Sequence, residues 1–284
     1  MSRPRTIQIF LPSGDPTGIR VAELTTSIIR LIEVPRSLLP HYLGMPEAKQ
    51  VGLYFLVGGE DSELLYIGQS GDTGKRLVQH DKDDTKEWNR ALVLVSMTNN
   101  LTQTHVLYLE ALSIEKAKAC KRFTLINGNG GQRPHTPIPL QADCDEIHEI
   151  GALLLATLGY PIFESLLREA TQQKLDKFFM TRAGVKAEGY FTQEGLVVLQ
   201  GSQGITSASK KNAPGLIETR RKLLEEGILV TDGKHVVMTR DYLFKSPSAA
   251  SSAMLMAASN GWIDWKNSSG KTLSDVYRQS DESF

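Results

Sequence analysis

VGLYFLVGGEDSELLYIGQSGDTGKRLVQH, residues 51–80, is the stretch on which the reading of this chain turns. Two short apolar runs, VGLYFLV and ELLYIG, flank the turn-forming Gly58-Gly59-Glu60-Asp61-Ser62. Alternating strands joined by turn residues are the pattern of a β-hairpin. A polar loop follows, then a helix start carrying Lys75, Arg76 and His80. Tyr54 and Tyr66 fall at matching places on the paired strands, and Arg76 and His80 lie one helical turn apart just beyond. A hairpin needs none of these polar groups for its own sake.

Upstream, TIQIFLPSGDPTGIRVAEL (6–24) holds two apolar runs about a Ser-Gly-Asp-Pro-Thr-Gly turn, and SIIRLIEVP ends at Pro35. Together they predict a small antiparallel sheet beside the hairpin, with SLLPHYLG as connector. Downstream, NRALVLVSM (89–97) reads as a third strand pairing with the hairpin. In THVLYLEALSIEKAKAC, Val106, Leu109, Leu112 and Ala117 have helical spacing, with Thr102 or Thr104 as cap and Glu110 a third of the way along. Lys116, Lys118, Lys121 and Arg122 complement that helix's C-terminus; contact with phosphate is their second reading.

Residues 127–146, rich in Gly and Pro, read as a linker. DEIHEIGALLLATLGY reads as a helix ending at Gly159, and ESLLREATQQKLDKFFM as another. From Gly189 a last domain opens on the strand-like YFTQEGLVVLQGS, followed by a polar Ser/Ala/Lys stretch. Then come a helix, LIETRRKLLEEG, and a hairpin about Asp232-Gly233. Ser246-Pro247 supplies an N-cap and N1 for a helix expected to stop at Asn260-Gly261.

The 284 residues suffice for two domains, and 32 basic against 32 acidic side chains give no net charge. That excludes binding to polyanions by bulk charge; any nucleic-acid contact must come from a local basic face. Cys120 and Cys144 have no metal-ligand spacing and fit a reducing compartment. No apolar run approaches the ~20 residues of a membrane span. The start MSRPRTIQIF lacks a signal peptide's apolar core, so the expected location is cytoplasmic, with no membrane partner.

Gly52-Leu53-Tyr54, then eleven residues, then Tyr66-Ile67-Gly68 resembles the paired motif of the GIY-YIG nucleases. Arg76, His80 and Glu110 follow in that family's order and on its element types, over roughly residues 50–127. The family's asparagine has its nearest counterpart in Asn127, further along than the family spacing. The resemblance implies an α+β fold. It would comprise a small antiparallel sheet flanked by helices (residues 49–130), with an N-terminal β extension (1–48). A linker and helical connector (131–188) would lead to a separate small α+β C-terminal domain (189–284).

It also implies catalytic Tyr54, Tyr66, Arg76, His80 and Glu110, with Asn127 as an additional site residue and Glu110 as the metal ligand. One carboxylate suits Mg²⁺ (or Mn²⁺), which keeps several waters and binds substrate phosphate. Arg76 offers a planar fork to a phosphate. Tyrosine's ordinary pKa of ~10 means a tyrosine base needs help, and the choice between Tyr54 and His80 as base stays open. Taken singly, each residue has a blander reading. The tyrosines would be strand packing, Arg76 and His80 a solvated helix face paired with Asp72 and Asp83, and Glu110 a surface glutamate.

The tail resembles a domain of unknown function that often follows GIY-YIG modules, and the RAMA module associated with restriction and DNA methylation. The residues that carry this are Gly201-Ser202, Arg220, Leu223, Gly227, Phe244, Ser246–Ala250, Asn260-Gly261-Trp262 and Trp265. Trp262 and Trp265 could stack on a base with Lys266 and Lys271 on phosphates, or fill the core, the reading preferred for Trp262. Candidate DNA contacts are Lys75, Lys116, Lys118, Lys121, Arg122, Trp265 and Lys266.

The function expected is a divalent-metal-dependent DNA endonuclease, a phosphodiester hydrolase working in restriction, defence or DNA processing. The other class is a non-catalytic DNA-binding or modified-base-reading protein on a nuclease scaffold. Expected partners are DNA, a second copy of the chain, and restriction or methylation components.

Overall fold

The computed structural model describes residues 3–59, 64–83, 87–128, 133–167, 175–206 and 214–278. Residues 60–63 of the hairpin turn, 129–132 of the expected linker, 168–174 of the second expected connector helix and 207–213 of the Ser/Ala/Lys stretch lie outside the described residues. The fold is α+β, and the chain divides into two compact units, Met1–Glu164 and Ser165–Phe284.

In the first unit, β1 (Ile7–Phe10), β2 (Arg20–Leu24), β3 (Ile29–Pro35), β4 (Gly52–Gly58), β5 (Leu64–Ser70), β6 (Arg90–Ser96) and β7 (Thr124–Leu125) form one sheet. Its order is β1-β2-β3-β6-β4-β5-β7. The N-terminal strands continue the hairpin's own sheet because β6 lies between β3 and β4 and pairs with both. Pairing is antiparallel except at the last step, where β7 runs parallel to β5.

Four helices complete the unit: α1 (Leu39–Leu43), α2 (Thr73–Asp81), α3 (Gln103–Cys120) and α4 (Ile138–Thr157). Side chains of β4 alternate between two cores, as period two requires. Leu53, Phe55 and Val57 pack with Val106, Leu109 and Leu112 of α3 and Leu154 and Leu155 of α4. Tyr54 and Leu56 pack with Tyr42 of α1, Leu77 of α2 and Trp88. Hence α2 and α3 lie on opposite faces, and any site using both must form around a sheet edge.

The linker expectation is corrected over 138–146, which are the first turns of α4. Pro139 is tolerated there because the first turn needs no N–H from it. Cys144 and His148 extend the helix's buried stripe. A 0 % exposed Glu33 fastens the end of this helix to the sheet. It pairs with Arg20, accepts from Arg90 Nη1 at 2.9 Å, and accepts from Tyr160 Oη at 2.9 Å. Arg20 also donates to the Leu158 carbonyl at 3.2 Å.

The second unit pairs β8 (Lys177–Arg182), β9 (Val185–Thr192), β10 (Gly195–Val198), β11 (Gln203–Ile205), β12 (Leu229–Asp232), β13 (His235–Met238), β14 (Tyr242–Phe244) and β15 (Lys266–Asn267) in one sheet. Lys177-Phe178-Phe179-Met180, expected at a helix end, is strand instead, because Phe178 and Met180 alternate into the core. The sheet thus begins before Gly189, which lies within β9 paired to β8. Among the described residues its helices are α5 (Pro214–Glu225), α6 (Pro247–Leu255), α7 (Gly261–Asp264) and α8 (Leu273–Tyr277).

Ser246 Oγ caps α6 by accepting from Ala249 N at 3.1 Å. That helix stops earlier than Asn260-Gly261, at left-handed Met256, and Asn260 caps α7 instead. Arg220 of α5, 5 % exposed, donates to the Ile205 carbonyl at 3.0 Å and to the Ala253 and Met254 carbonyls at the end of α6. Without a carboxylate beside it, burial lowers its pKa to about 10.

Removing the buried Glu33 carboxylate strands Arg20, Arg90 and the Tyr160 hydroxyl. Glu33→Ala is expected to cost about 3 kcal/mol in urea denaturation. Glu188→Ala, which breaks the solvent-exposed pair with Lys177, is expected to stay within about 1 kcal/mol.

Candidate active site

Strand β5 has β4 on one side and only a two-residue partner, β7, on the other. Its outward backbone groups therefore need other partners, and three different kinds serve in sequence. The Leu65 carbonyl accepts from Ile126 N at 2.9 Å. Ile67 N–H donates to Asn127 Oδ1 at 2.9 Å, while Asn127 Nδ2 donates back to the Ile67 carbonyl at 2.7 Å. Next along, the Gln69 N–H faces the Glu110 carboxylate closely enough to pull its pKa down. Asn127 thus replaces a strand residue with a side-chain amide, and its work is positioning. The same edge that fixes Asn127 also holds Glu110.

On the opposite face, Asp72 starts α2 by accepting from Lys75 N at 2.8 Å. This aims Arg76 and His80 at the hairpin. Tyr54 Oη and His80 Nε2 are 2.9 Å apart, both residues being almost wholly buried. Arg76 Nε donates to Tyr54 Oη at 3.3 Å, and the Arg76 guanidinium also lies close enough to the Tyr66 hydroxyl for its own pKa to be raised by it. Because Arg76 can only donate, the phenol's own proton is available to His80 Nε2 in the tautomer that leaves this nitrogen unprotonated. The half-buried Tyr66 ring lies 5.2 Å from His80 and 6.4 Å from Tyr54 between centroids.

Gly68, the residue opposite Tyr54 in the ladder, has no side chain because the space is taken: a Cβ there would overlap the Tyr54 hydroxyl. Burial pushes Tyr54 up to about 12, against the opposing pull of Arg76. The solvated-face reading of His80 is corrected accordingly, since it is 2 % exposed and turned inward.

Glu110 stands half-buried on α3. Burial raises its carboxyl above the ordinary 4.5, while the Arg76 charge and the Gln69 N–H pull it back. Its negative charge is felt in turn by Tyr54. The five residues named in the sequence are therefore brought together, four on the α2 face and Glu110 around the β5 edge. No group of three or more His, Cys, Asp or Glu among the described residues is placed to hold a metal. A partly desolvated single carboxylate fits the ion that needs the fewest protein ligands, Mg²⁺, completed by water and phosphate.

Two residues escaped the sequence reading. Gln103 Nε2 donates to Gln69 Oε1 at 2.6 Å beside Glu110. The signal was present: Gln103 is seven residues before Glu110, on the same helical face, and Gln69 directly follows Gly68.

Of the candidate DNA contacts, Lys75 is exposed and paired with Asp72 at 3.1 Å. Lys116 (half-buried) and Lys118 (exposed) lie in the C-terminal turns of α3. Lys121 is its left-handed cap. Arg122 just beyond is half-buried, and burial lowers its pKa. Lys266 is exposed on β15. Trp265 is corrected: it is 0 % exposed in the second unit's core and cannot stack on a base. The half-buried tryptophan is Trp262, covered by Arg278 at 3.7 Å from its ring centroid and by Phe191 at 5.2 Å. Trp262 also packs against that core, as the reading preferred for it expects.

Among known families, residues 178–277 match the model described as a domain of unknown function (DUF4357). The match covers the strands from β8 onward and the helices α5 to α8 described in the second unit. Against curated proteins and against solved structures the chain gives no match. No helix among the described residues is long and apolar enough to cross a membrane.

If Asn127 completes the edge of β5, Asn127→Ala frees the Ile67 N–H and carbonyl. Faster amide exchange is expected at Ile67 and Gln69, with none at Leu53 in the interior of the sheet. Overall stability should fall by about 1–2 kcal/mol. Unchanged exchange at Ile67 would refute the positioning role.

Proposed function

We propose that the first unit is a divalent-metal-dependent DNA endonuclease of the GIY-YIG type and that the second assists recognition of its DNA. The observation that carries this reading is the convergence of Tyr54, Tyr66, Arg76 and His80 with Glu110 arriving from the far face. Packing alone gives no reason for a buried phenol–imidazole pair, an arginine bonded to one tyrosine and beside another, and a half-buried carboxylate to share one edge. Phosphodiester hydrolysis uses all of them.

Arg76 presents its fork to a non-bridging phosphate oxygen. Glu110 would hold Mg²⁺, which would supply charge neutralisation on the phosphoryl and leaving oxygens. The attacking water gives its proton to the Tyr54 oxygen as the phenol passes its own to His80 Nε2. The water oxygen bonds phosphorus and the P–O bond to the leaving strand breaks. With Tyr54 pushed up to about 12, a standing phenolate is scarce at neutral pH. A hand-off to His80 avoids forming one, so Tyr54 and His80 act as one base. Tyr66 orients the phosphate or the water through its hydroxyl. The DNA itself, and restriction or methylation as the setting, follow from the resemblance in residues 50–127 and are part of the proposal.

Purified protein is expected to nick or cut DNA with Mg²⁺ or Mn²⁺, and Glu110→Ala to lose this while keeping its circular dichroism spectrum. Cleavage that persists in Glu110→Ala sinks the assignment. Tyr54→Phe and His80→Ala should each lower kcat by about 10²–10⁴. Their double variant should lose little more, because the pair acts as a unit.

The pH dependence follows from Glu110. Its folded pKa is raised, so in the metal-free protein its contribution to stability is present below about 4.5 and is lost as pH rises through the folded value. Metal needs the ionised form. Activity should therefore fall on the acid side at a pH above 4.5, and more Mg²⁺ should move that limb to lower pH. A limb that ignores Mg²⁺ concentration would assign it to another group.

A further inference from the structure

Strand β5 turns Leu65, Ile67 and Gln69 toward the α3 face, and α3 turns Gln103 and Glu110 toward the strand. The Gln103–Gln69 bond of 2.6 Å engages one donor and one acceptor, and both side chains reach solvent. What stays available is Gln69 Nε2 as donor and Gln103 Oε1 as acceptor, side by side and each steadied by the other. The Gln69 backbone N–H lies near enough to the Glu110 carboxylate to lower its pKa, so the glutamine pair stands next to the residue proposed to hold the metal. A neutral pair half in solvent gives little to stability, which leaves recognition as its use.

We propose that Gln69 and Gln103 are specificity-determining residues that read an adenine near the scissile phosphate, an inference that rests on the nuclease reading. The major-groove edge of adenine offers the N7 acceptor next to the N6 amino donor, complementary to Gln69 Nε2 and Gln103 Oε1. Guanine sets two acceptors there, so its O6 would face the Gln103 oxygen without a proton between them. Seven residues of helix separate Gln103 from Glu110, on the order of 10 Å. At ~3.4 Å per nucleotide, the adenine lies about three nucleotides from the cut.

The full chain is tested on duplexes that differ at one position near the cut, carrying adenine, guanine or 7-deazaadenine, with cleavage and binding measured in parallel. Wild-type protein is expected to favour adenine about tenfold in kcat/KM, in the range of a bidentate base contact. The 7-deaza base should lose most of that preference, and Gln103→Ala and Gln69→Ala should abolish it. A wild-type protein that cuts without preference, or a preference that survives in Gln103→Ala, overturns the proposal and leaves the nuclease reading standing. If no duplex is cut but binding shows the glutamine-dependent adenine preference, the nuclease reading falls and the base contact stands. No cleavage together with no preference in binding overturns both.

Discussion

The unpaired edge of β5 is the constraint from which the rest of the first unit follows. A strand with neighbours on one side only presents N–H and carbonyl groups that must be met by something. Here β7 is too short to meet them all, and the gap is filled by the Asn127 amide, with the Glu110 carboxylate standing near the next N–H. A full partner strand would have satisfied the backbone equally well and closed the site. By ending the ladder on side chains, the fold leaves the edge covered but open to a ligand. It also ties a carboxylate to the strand that carries Tyr66 and Gly68.

The two faces of the sheet have separate duties that this edge joins. One face, under α1 and α2, buries Tyr54 and His80 and gives them an apolar setting. The other, under α3 and α4, is mainly hydrophobic, with Glu33, Ser113 and His148 buried in it, and brings Gln69 and Gln103 together where α3 passes β5. Arg76 and Glu110 sense each other's charge although their helices cover opposite faces. Such proximity is available at a sheet margin and nowhere in its middle, where two layers of side chains intervene. Glu33 serves the same arrangement from further away, holding the end of α4 against the sheet.

Much of this was legible in the sequence, and for identifiable reasons. The hairpin, the helix with Glu110 and the cap at Ser246 are each specified by local pattern within a dozen residues. The misread parts depend on distant partners. Residues 138–146 look like a linker because prolines dominate their start, yet buried Cys144 and His148 make them helix. Lys177–Met180 fits the end of a helix until β9 pairs with it. For Trp262 and Trp265 no local signal distinguishes the buried one. Asn127 shows the limit most clearly: its residue type was noticed, but its task depends on a strand sixty residues away.

The burial of Tyr54 and His80 changes what each can be in a hydrolytic site. Neither meets bulk water, so a water that gives its proton to Tyr54 has to arrive with the substrate from the open side. The groups at the open side are Tyr66, Arg76 and Glu110, all half-buried. The buried pair therefore works through contacts: Tyr54 holds the Nε of Arg76, and His80 holds Tyr54. Ligand binding at the open side would exclude the remaining water and strengthen every one of these polar interactions. In this arrangement Gly68 matters as much as either tyrosine, since a methyl group there would displace the Tyr54 oxygen on which the whole chain of contacts is strung.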